Sequence, residues 1–195
     1  MSVEEHFDIC DSQGRPTGRK EARSVAHQSG LWHRSAHLWL ANARDEFLLQ
    51  RRHPEKQTDP GRWDIAVAGH LSAGQNPVEA LIREAFEELG LVLEASALTY
   101  LEDRRKEYQE LGFVDREFQS VFVLRREVDL SELVLQETEV TAVAWEPAWR
   151  LAQRLEAGDE SLVNRRGEWQ DVYRLLGLDP ILQTWPTKVV HGSSS

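Results

Sequence analysis

An α/β domain with a mixed sheet lying between helices is the fold this sequence predicts. Strand-length apolar runs are interspersed with amphipathic stretches of helical period, the pattern of a sheet covered by helices. Neither an internal repeat nor a long linker divides the 195 residues, so one domain with a sizeable core is expected. Hydrophobic residues make up 41% of the chain and charged residues 29%, which suits a folded globular protein.

The elements follow in order. Phe7 to Cys10 and the turn Asp11-Ser12-Gln13-Gly14 suggest a short hairpin leading to Gly18. Residues 21–28 suit a helix, and residues 34–42 and 46–52 read as strands joined by Asn42-Ala43-Arg44-Asp45. Residues 63–71 form a mostly apolar strand that runs into a glycine loop. Asn76 is a good N-cap and Pro77 suits the first helical position. Val78, Ala80, Leu81, Ile82, Ala85, Phe86 and Leu89 then supply apolar contacts at helical spacing. Gly90 can take the positive φ that stops a helix, which gives about 13 residues, near the ordinary mean. Residues 97–106 and 113–125 read as a strand pair around a charged turn containing Gly112. Gln136 to Glu139 lead into a strand from Val140 to Trp145. Pro147 opens a helix to about residue 157, and residues 168–176 form another. The tail, residues 188–195, is expected to be flexible.

Charge and composition narrow the function. A net charge of −10 argues against a nucleic-acid polymer as partner, while leaving room for a small phosphate ligand held by a local basic cluster. No apolar run approaches membrane length, and the polar start Met1-Ser2-Val3-Glu4-Glu5 does not resemble a signal peptide. The single cysteine, Cys10, excludes an internal disulfide and fits a cytoplasmic protein. A homodimer is left open.

Chemistry concentrates in the acidic helix. Glu84, Glu87 and Glu88 stand at i, i+3 and i+4 and share a face, where like charges repel. They also lie in the last turns, where the helix dipole disfavours them. A solvated acidic face is the ordinary fate of such a run. A hard cation, Mg²⁺ or Mn²⁺, removes the repulsion and takes oxygen ligands alongside substrate phosphates. Arg83 can orient one carboxylate through a forked ion pair.

Gly69, Arg83, Glu84, Glu87, Glu88, Gly90 and Leu91 fall at the spacing of the Nudix box, and the segment resembles it. Two positions depart: Gln75 replaces a glutamate, and Ala85 is a small version of the hydrophobic residue. The resemblance implies a Nudix-like α/β/α sandwich with its core at about residues 34–157. It also implies a metal-dependent pyrophosphohydrolase that cleaves a diphosphate linkage in a nucleoside diphosphate derivative or another organic diphosphate. Glu84, Glu87 and Glu88 would be its metal ligands.

The flanks narrow the branch. Gly14, Pro16, Thr17, Gly18, His27, His33, Arg51-Arg52, Lys56, Pro60-Gly61, Trp63 and Gly69-His70 are similar in order to isopentenyl-diphosphate isomerase, an enzyme of Nudix-like fold. That resemblance implies His27, His33 and His70 as metal histidines, Asp115 and Glu117 as the acidic positions, and Arg52 and Lys56 as diphosphate contacts. Asp115 and Glu117, two apart on a strand, point to one face. They form either a second metal site or a polar sheet face. His70 is either a ligand or a support for the glycine loop. Where the isomerase carries its catalytic cysteine this chain has Ala68, which cannot move a proton. A hydrolase is therefore expected, with Glu137, Glu139 or a box glutamate as general base. An isomerase that has moved its acid, or a noncatalytic binding module, is the alternative. The tryptophans, among them Trp32, Trp39 and Trp63, serve either the core or a stacked ligand.

Overall fold

In the computed structural model, which describes residues 4–110, 113–165 and 167–178, the chain runs through nine strands and four helices. They are β1 (His6–Cys10), β2 (Pro16–Ala22), α1 (Arg23–Ser29), β3 (Trp32–Ala41), β4 (Glu46–Arg52), β5 (Trp63–Ile65), β6 (Val67–His70), α2 (Pro77–Leu89), β7 (Thr99–Glu110), β8 (Phe113–Arg125), β9 (Val140–Pro147), α3 (Ala148–Glu156) and α4 (Glu168–Leu175). The expected Gly112 turn and the C-terminal tail lie outside the described residues.

Strand β3 is the axis. It pairs in parallel with β8 along its whole length and antiparallel with β1, β4 and β6, so the sheet is mixed. Alternation along β3 divides the core into two layers. Ala36, Leu38 and Leu40 join Ala80, Leu81, Ala85 and Leu89 of α2 on one face. Trp39 and Ala41 join Ala148, Leu151 and Ala152 of α3 and Trp169, Val172 and Tyr173 of α4 on the other. Each fully buried leucine contributes on the order of 2 kcal/mol. The result is a sheet between helical layers, as expected.

The apolar run 63–71 is not one strand. Strands β3 and β4 pair only at Ala41↔Phe47 and then part. Residues 63–65 pair with β4, and after Ala66 the chain crosses to pair residues 67–70 with β3. One hydrophobic run thus serves two partner strands across the opening between them, and the candidate site forms there. Smaller differences concern ends. Strand β3 starts at Trp32, β7 continues to Glu110, and Pro147 closes β9 as the N-cap of α3. Proline suits that junction because it has no N–H to leave unbonded. Phe86, expected among the apolar contacts of α2, is exposed.

Helix α2 forms where the sequence places it. Asn76 accepts a hydrogen bond from the Glu79 N–H (3.0 Å), and the Glu79 carboxylate accepts from the Asn76 N–H (3.1 Å), a reciprocal box. Gly90 takes φ 66° and ends the helix. Replacing Asn76→Ala removes one cap bond and exposes the other. It should cost about 1 kcal/mol, read as a lower urea midpoint with an unchanged slope; an unchanged midpoint would show that the cap is dispensable.

Candidate active site

A cavity of about 830 Å³ opens where β3 and β4 part. Glu84, Glu87 and Glu88 all line it, so the acidic face of α2 is turned into a cleft. The approach is close: a Cβ on Gly69 would lie 2.7 Å from the Glu84 side chain, so only glycine lets that carboxylate rest on the loop. Arg83 meets Glu84 Oε1 and Glu87 Oε2, each at 2.9 Å. Gln75 takes part through its neutral oxygen, which accepts from the Ser72 N–H (3.1 Å) and from Arg83 Nη2 (3.3 Å). The missing glutamate charge therefore leaves the loop and Arg83 tied together.

Glu88 is the deepest of the three carboxylates and accepts from Gln50 Nε2 (3.1 Å). Burial, and then the charge of Glu84, raise its pKa to about 7. Burial also raises Glu84, against the pull of Arg83. Glu139 reaches the same cavity, where it is ion-paired with Lys56. Glu137 is exposed and does not line it, so of the two loop carboxylates Glu139 is the one brought to the site. Arg52 is turned inward. Its guanidinium donates to the Thr58 carbonyl (3.0 and 3.1 Å) and faces Asp64 (3.5 Å), holding the loop that carries Lys56. Arg51 points elsewhere, donating to the Gly61 carbonyl (3.1 Å).

A second cluster borders this cavity through His70 and Asp115, while His27 lines an adjoining one of about 260 Å³. One ligand atom each from His27, His33, His70 and Asp115 lie within 4.8 Å of one another. Helix α1 supplies His27, β3 supplies His33, β6 supplies His70 and β8 supplies Asp115. The parallel register sets His33 opposite Glu117, and Glu117 Oε1 lies 2.9 Å from His70 Nε2. Asp115 and Glu117 thus face histidines rather than solvent. His33 Nδ1 donates to the Leu31 carbonyl (2.9 Å), which leaves Nε2 with its lone pair. That Nε2 and Asp115 Oδ1 are buried without a hydrogen-bond partner among the described residues, and they stand 3.4 Å apart. Burial and the neighbouring His70 lower the pKa of His27 to about 3 and of His33 to about 4, so both are neutral imidazoles. Burial and the charge of Glu117 push Asp115 up. Neutral imidazoles and orphaned acceptors in one place are what a cation requires and what a hydrogen-bonded core avoids.

Several residues at the cavity were missed. His37, Asp64, Gln119 and Arg165 line it as well, and Glu168 and Gln50 stand behind. A charged Asp64 inside an otherwise apolar strand was the one visible signal. The three tryptophans singled out from the sequence serve packing: Trp32 lies near Phe118 and under Arg105, Trp39 is buried, and Trp63 packs on the core.

A pH test follows from Glu88. Its pKa in the folded metal-free protein lies above that of the unfolded chain, so the protonated acid is the favoured form there. The stability it contributes is present below the unfolded value and is lost as pH rises towards 7. Against a Glu88→Gln variant in chelator, the wild type should lose about 3 kcal/mol between pH 4 and pH 8. Parallel pH profiles of the two proteins would show that Glu88 titrates as in water.

Comparison with known proteins identifies the family and the fold. A model of the NUDIX domain family matches residues 31–165. The chain is 30% identical over 185 residues to an uncharacterised Nudix hydrolase of Clostridium acetobutylicum, covering 90% of this chain and 89% of that protein. It is 35% identical over 150 residues to Nudix hydrolase 3 of Arabidopsis thaliana, covering 74% of this chain but only 19% of that longer protein. It is also 32% identical over 141 residues to isopentenyl-diphosphate Delta-isomerase of Escherichia coli, covering 72% and 76%. Among solved structures, DR0079 from Deinococcus radiodurans shares the fold, with a TM-score of 0.66 at 22% identity over 87% of this chain and 100% of that one. From the extent of the family match and the likeness to the Clostridium protein, the chain belongs to the Nudix hydrolase family.

Proposed function

We propose that the chain hydrolyses a diphosphate linkage in a small organic diphosphate, with a divalent cation, Mg²⁺ or Mn²⁺, held by Glu84 and Glu88 and by Glu87 from the rim. The observation that supports this most is the convergence of Glu84, the buried Glu88 and Glu139 on one cavity that also holds Lys56 and Arg83. The residues fit a cation, because Glu88 is buried beside another carboxylate with only an amide as partner. When bound, the cation supplies neutralisation of the diphosphate and of the leaving oxygen. The three imidazoles and Asp115 fit a second ion, and that donor set suits Mn²⁺ or Zn²⁺ better than Mg²⁺.

The chain's own groups do the rest. Arg83 fixes the directions of Glu84 and Glu87. Gly69 and His70 form the wall against which Glu84 rests. Lys56 places positive charge beside the substrate phosphates, and Arg52 holds the loop on which Lys56 is carried. Glu139 accepts the proton of the attacking water as its oxygen bonds to phosphorus and the bridging P–O bond breaks.

Hydrolysis is favoured over isomerisation by position 68. Ala68 is paired opposite His37 at the cavity wall, and no cysteine lines the cavity among the described residues. Cys10 is buried in β1. The isomerase reading keeps one specific support, the assembled histidine cluster. The binding-module reading has none beyond Gln75, which keeps its place in the loop.

One experiment separates these readings. A panel of diphosphate compounds that includes isopentenyl diphosphate is incubated with Mg²⁺ and Mn²⁺. Hydrolysis is expected. Glu139→Gln should lower kcat by about 10²-fold or more, with Glu137→Gln near wild type. Conversion of isopentenyl diphosphate with its diphosphate intact would establish the isomerase instead, and equal effects of the two substitutions would remove Glu139 as base.

A further inference from the structure

The box position that has lost its charge has a carboxylate close by, from another part of the chain. Gln75 stands where the family pattern carries a glutamate, and its neutral oxygen accepts from the Ser72 N–H and from Arg83 Nη2. A carboxylate in that place would ion-pair with Arg83 directly. Ser72 faces two ways: its N–H goes to Gln75, and its hydroxyl donates to Glu5 Oε1 (2.8 Å). Glu5 lines the same cavity as Arg83, Glu84 and Glu87. It precedes β1, whereas the NUDIX match begins at residue 31, so this carboxylate comes from outside the matched region.

The segment around Glu5 is fastened to the glycine loop. Besides Glu5 on Ser72, the His6 carbonyl accepts from the Ala73 N–H (2.7 Å), and Asp8 Oδ2 accepts from the Gly74 N–H (2.6 Å). On its other side Glu5 holds the start of α1. Its carbonyl accepts from the Arg23 N–H (2.8 Å), and its Oε2 accepts from Arg23 Nη1 (3.2 Å). Glu5 is thus fixed at its backbone and at both carboxylate oxygens. Ordering a long side chain costs rotamer entropy, and a partly exposed ion pair alone returns little of it.

The charge of Glu5 is felt in the cleft. Burial disfavours the Arg83 cation, and Glu84, Glu87 and Glu5 together hold it more firmly protonated than in water. Burial raises the Glu84 carboxyl against the pull of Arg83, and the charge of Glu5 adds to that rise.

We infer that Glu5 supplies, from the far side of Ser72, the negative charge that the box lacks at Gln75, as a positioning residue for Arg83 and the glycine loop. No bond to substrate is assigned to it. With Glu5 in place, Arg83 is compensated from two sides, and Glu84 and Glu87 keep more of their charge for a cation. Without it, Arg83 draws on those two carboxylates alone and competes with the cation for them. This deepens the hydrolase reading and rests on it for the place of the cation beside Glu84 and Glu88.

Moving the charge tests this. Glu5→Gln keeps an oxygen for Ser72 and Arg23 but removes the charge, and Gln75→Glu puts a charge where the family pattern has it. Wild type, both single variants and the double variant are titrated with Mg²⁺ by calorimetry, and assayed with Mg²⁺ on the panel of diphosphate compounds. Glu5→Gln should weaken Mg²⁺ binding and lower kcat/KM, each by about tenfold. The double variant should return to within about twofold of wild type, a non-additive result in a double-mutant cycle. Amide hydrogen exchange at Ala73 and Gly74, followed in chelator, should be the same in Glu5→Gln as in wild type. Unchanged Mg²⁺ binding and activity in Glu5→Gln would overturn the inference, and so would a loss that Gln75→Glu leaves unrepaired. Faster exchange at the loop together with an unrepaired loss would assign Glu5 a purely structural part. If wild type hydrolyses none of the compounds, the hydrolase reading fails and the Mg²⁺ constants alone decide. Binding weakened by Glu5→Gln and restored by Gln75→Glu supports the displaced charge, and constants that do not change overturn it.

Discussion

Carboxylates crowded together out of water repel one another and lose their hydration, and a protein keeps such an arrangement only where something positive meets it. Around this constraint the structure is arranged. Helix α2 turns Glu84 and Glu88 into a cleft, Gly69 makes room for Glu84, and Gln50 gives Glu88 a single amide partner. Arg83 compensates Glu84 and the rim residue Glu87, and leaves Glu88 to burial. Across the cavity the same logic recurs with imidazoles, where His33 Nε2 and an oxygen of Asp115 face each other without a hydrogen-bond partner among the described residues. Under the proposed function both places would hold a cation, one through oxygen and the other mostly through nitrogen.

The fold supplies the cleft by a local irregularity. Strands β3 and β4 begin as neighbours and separate, and the segment from Trp63 to His70 spans the gap by changing partner at Ala66. That crossing brings Ala68, Gly69 and His70 to the β3 side and leaves Asp64 near β4, so residues close in sequence line different walls of one cavity. Buried strands on both sides hold these walls in place. The carboxylates of α2 and the histidines of β3 and β6 consequently stand on rigid elements, whereas Lys56 and Glu139 come from turns, the first on the loop held by Arg52.

Much of the acidic helix is legible in the sequence because its signals are local: a cap at Asn76, a helical period, a stop at Gly90, and carboxylates three and four residues apart. The cleft is less so. A continuous apolar run over residues 63–71 says that a segment is buried, and nothing in it says that the partner strand changes midway. The histidine cluster needs the parallel pairing of β3 with β8, which no spacing along the chain reveals; the resemblance to the isomerase is what singles those histidines out. Resemblance also points to Arg52 as a phosphate contact; Arg52 lines the cavity, with its guanidinium held by Thr58 and Asp64. The polar wall is the least legible part. Arg165 meets Asp64 from 101 residues away, and nothing around it in the sequence marks it as buried.

The central claim is that the buried carboxylates await a cation, and anomalous diffraction from a crystal soaked in Mn²⁺ tests it most directly. The account predicts a manganese peak within coordinating distance of Glu84 and Glu88, and a second one among His33, His70 and Asp115. A crystal with no peak near α2, and with Glu88 hydrogen-bonded as a neutral acid under saturating Mn²⁺, would contradict it.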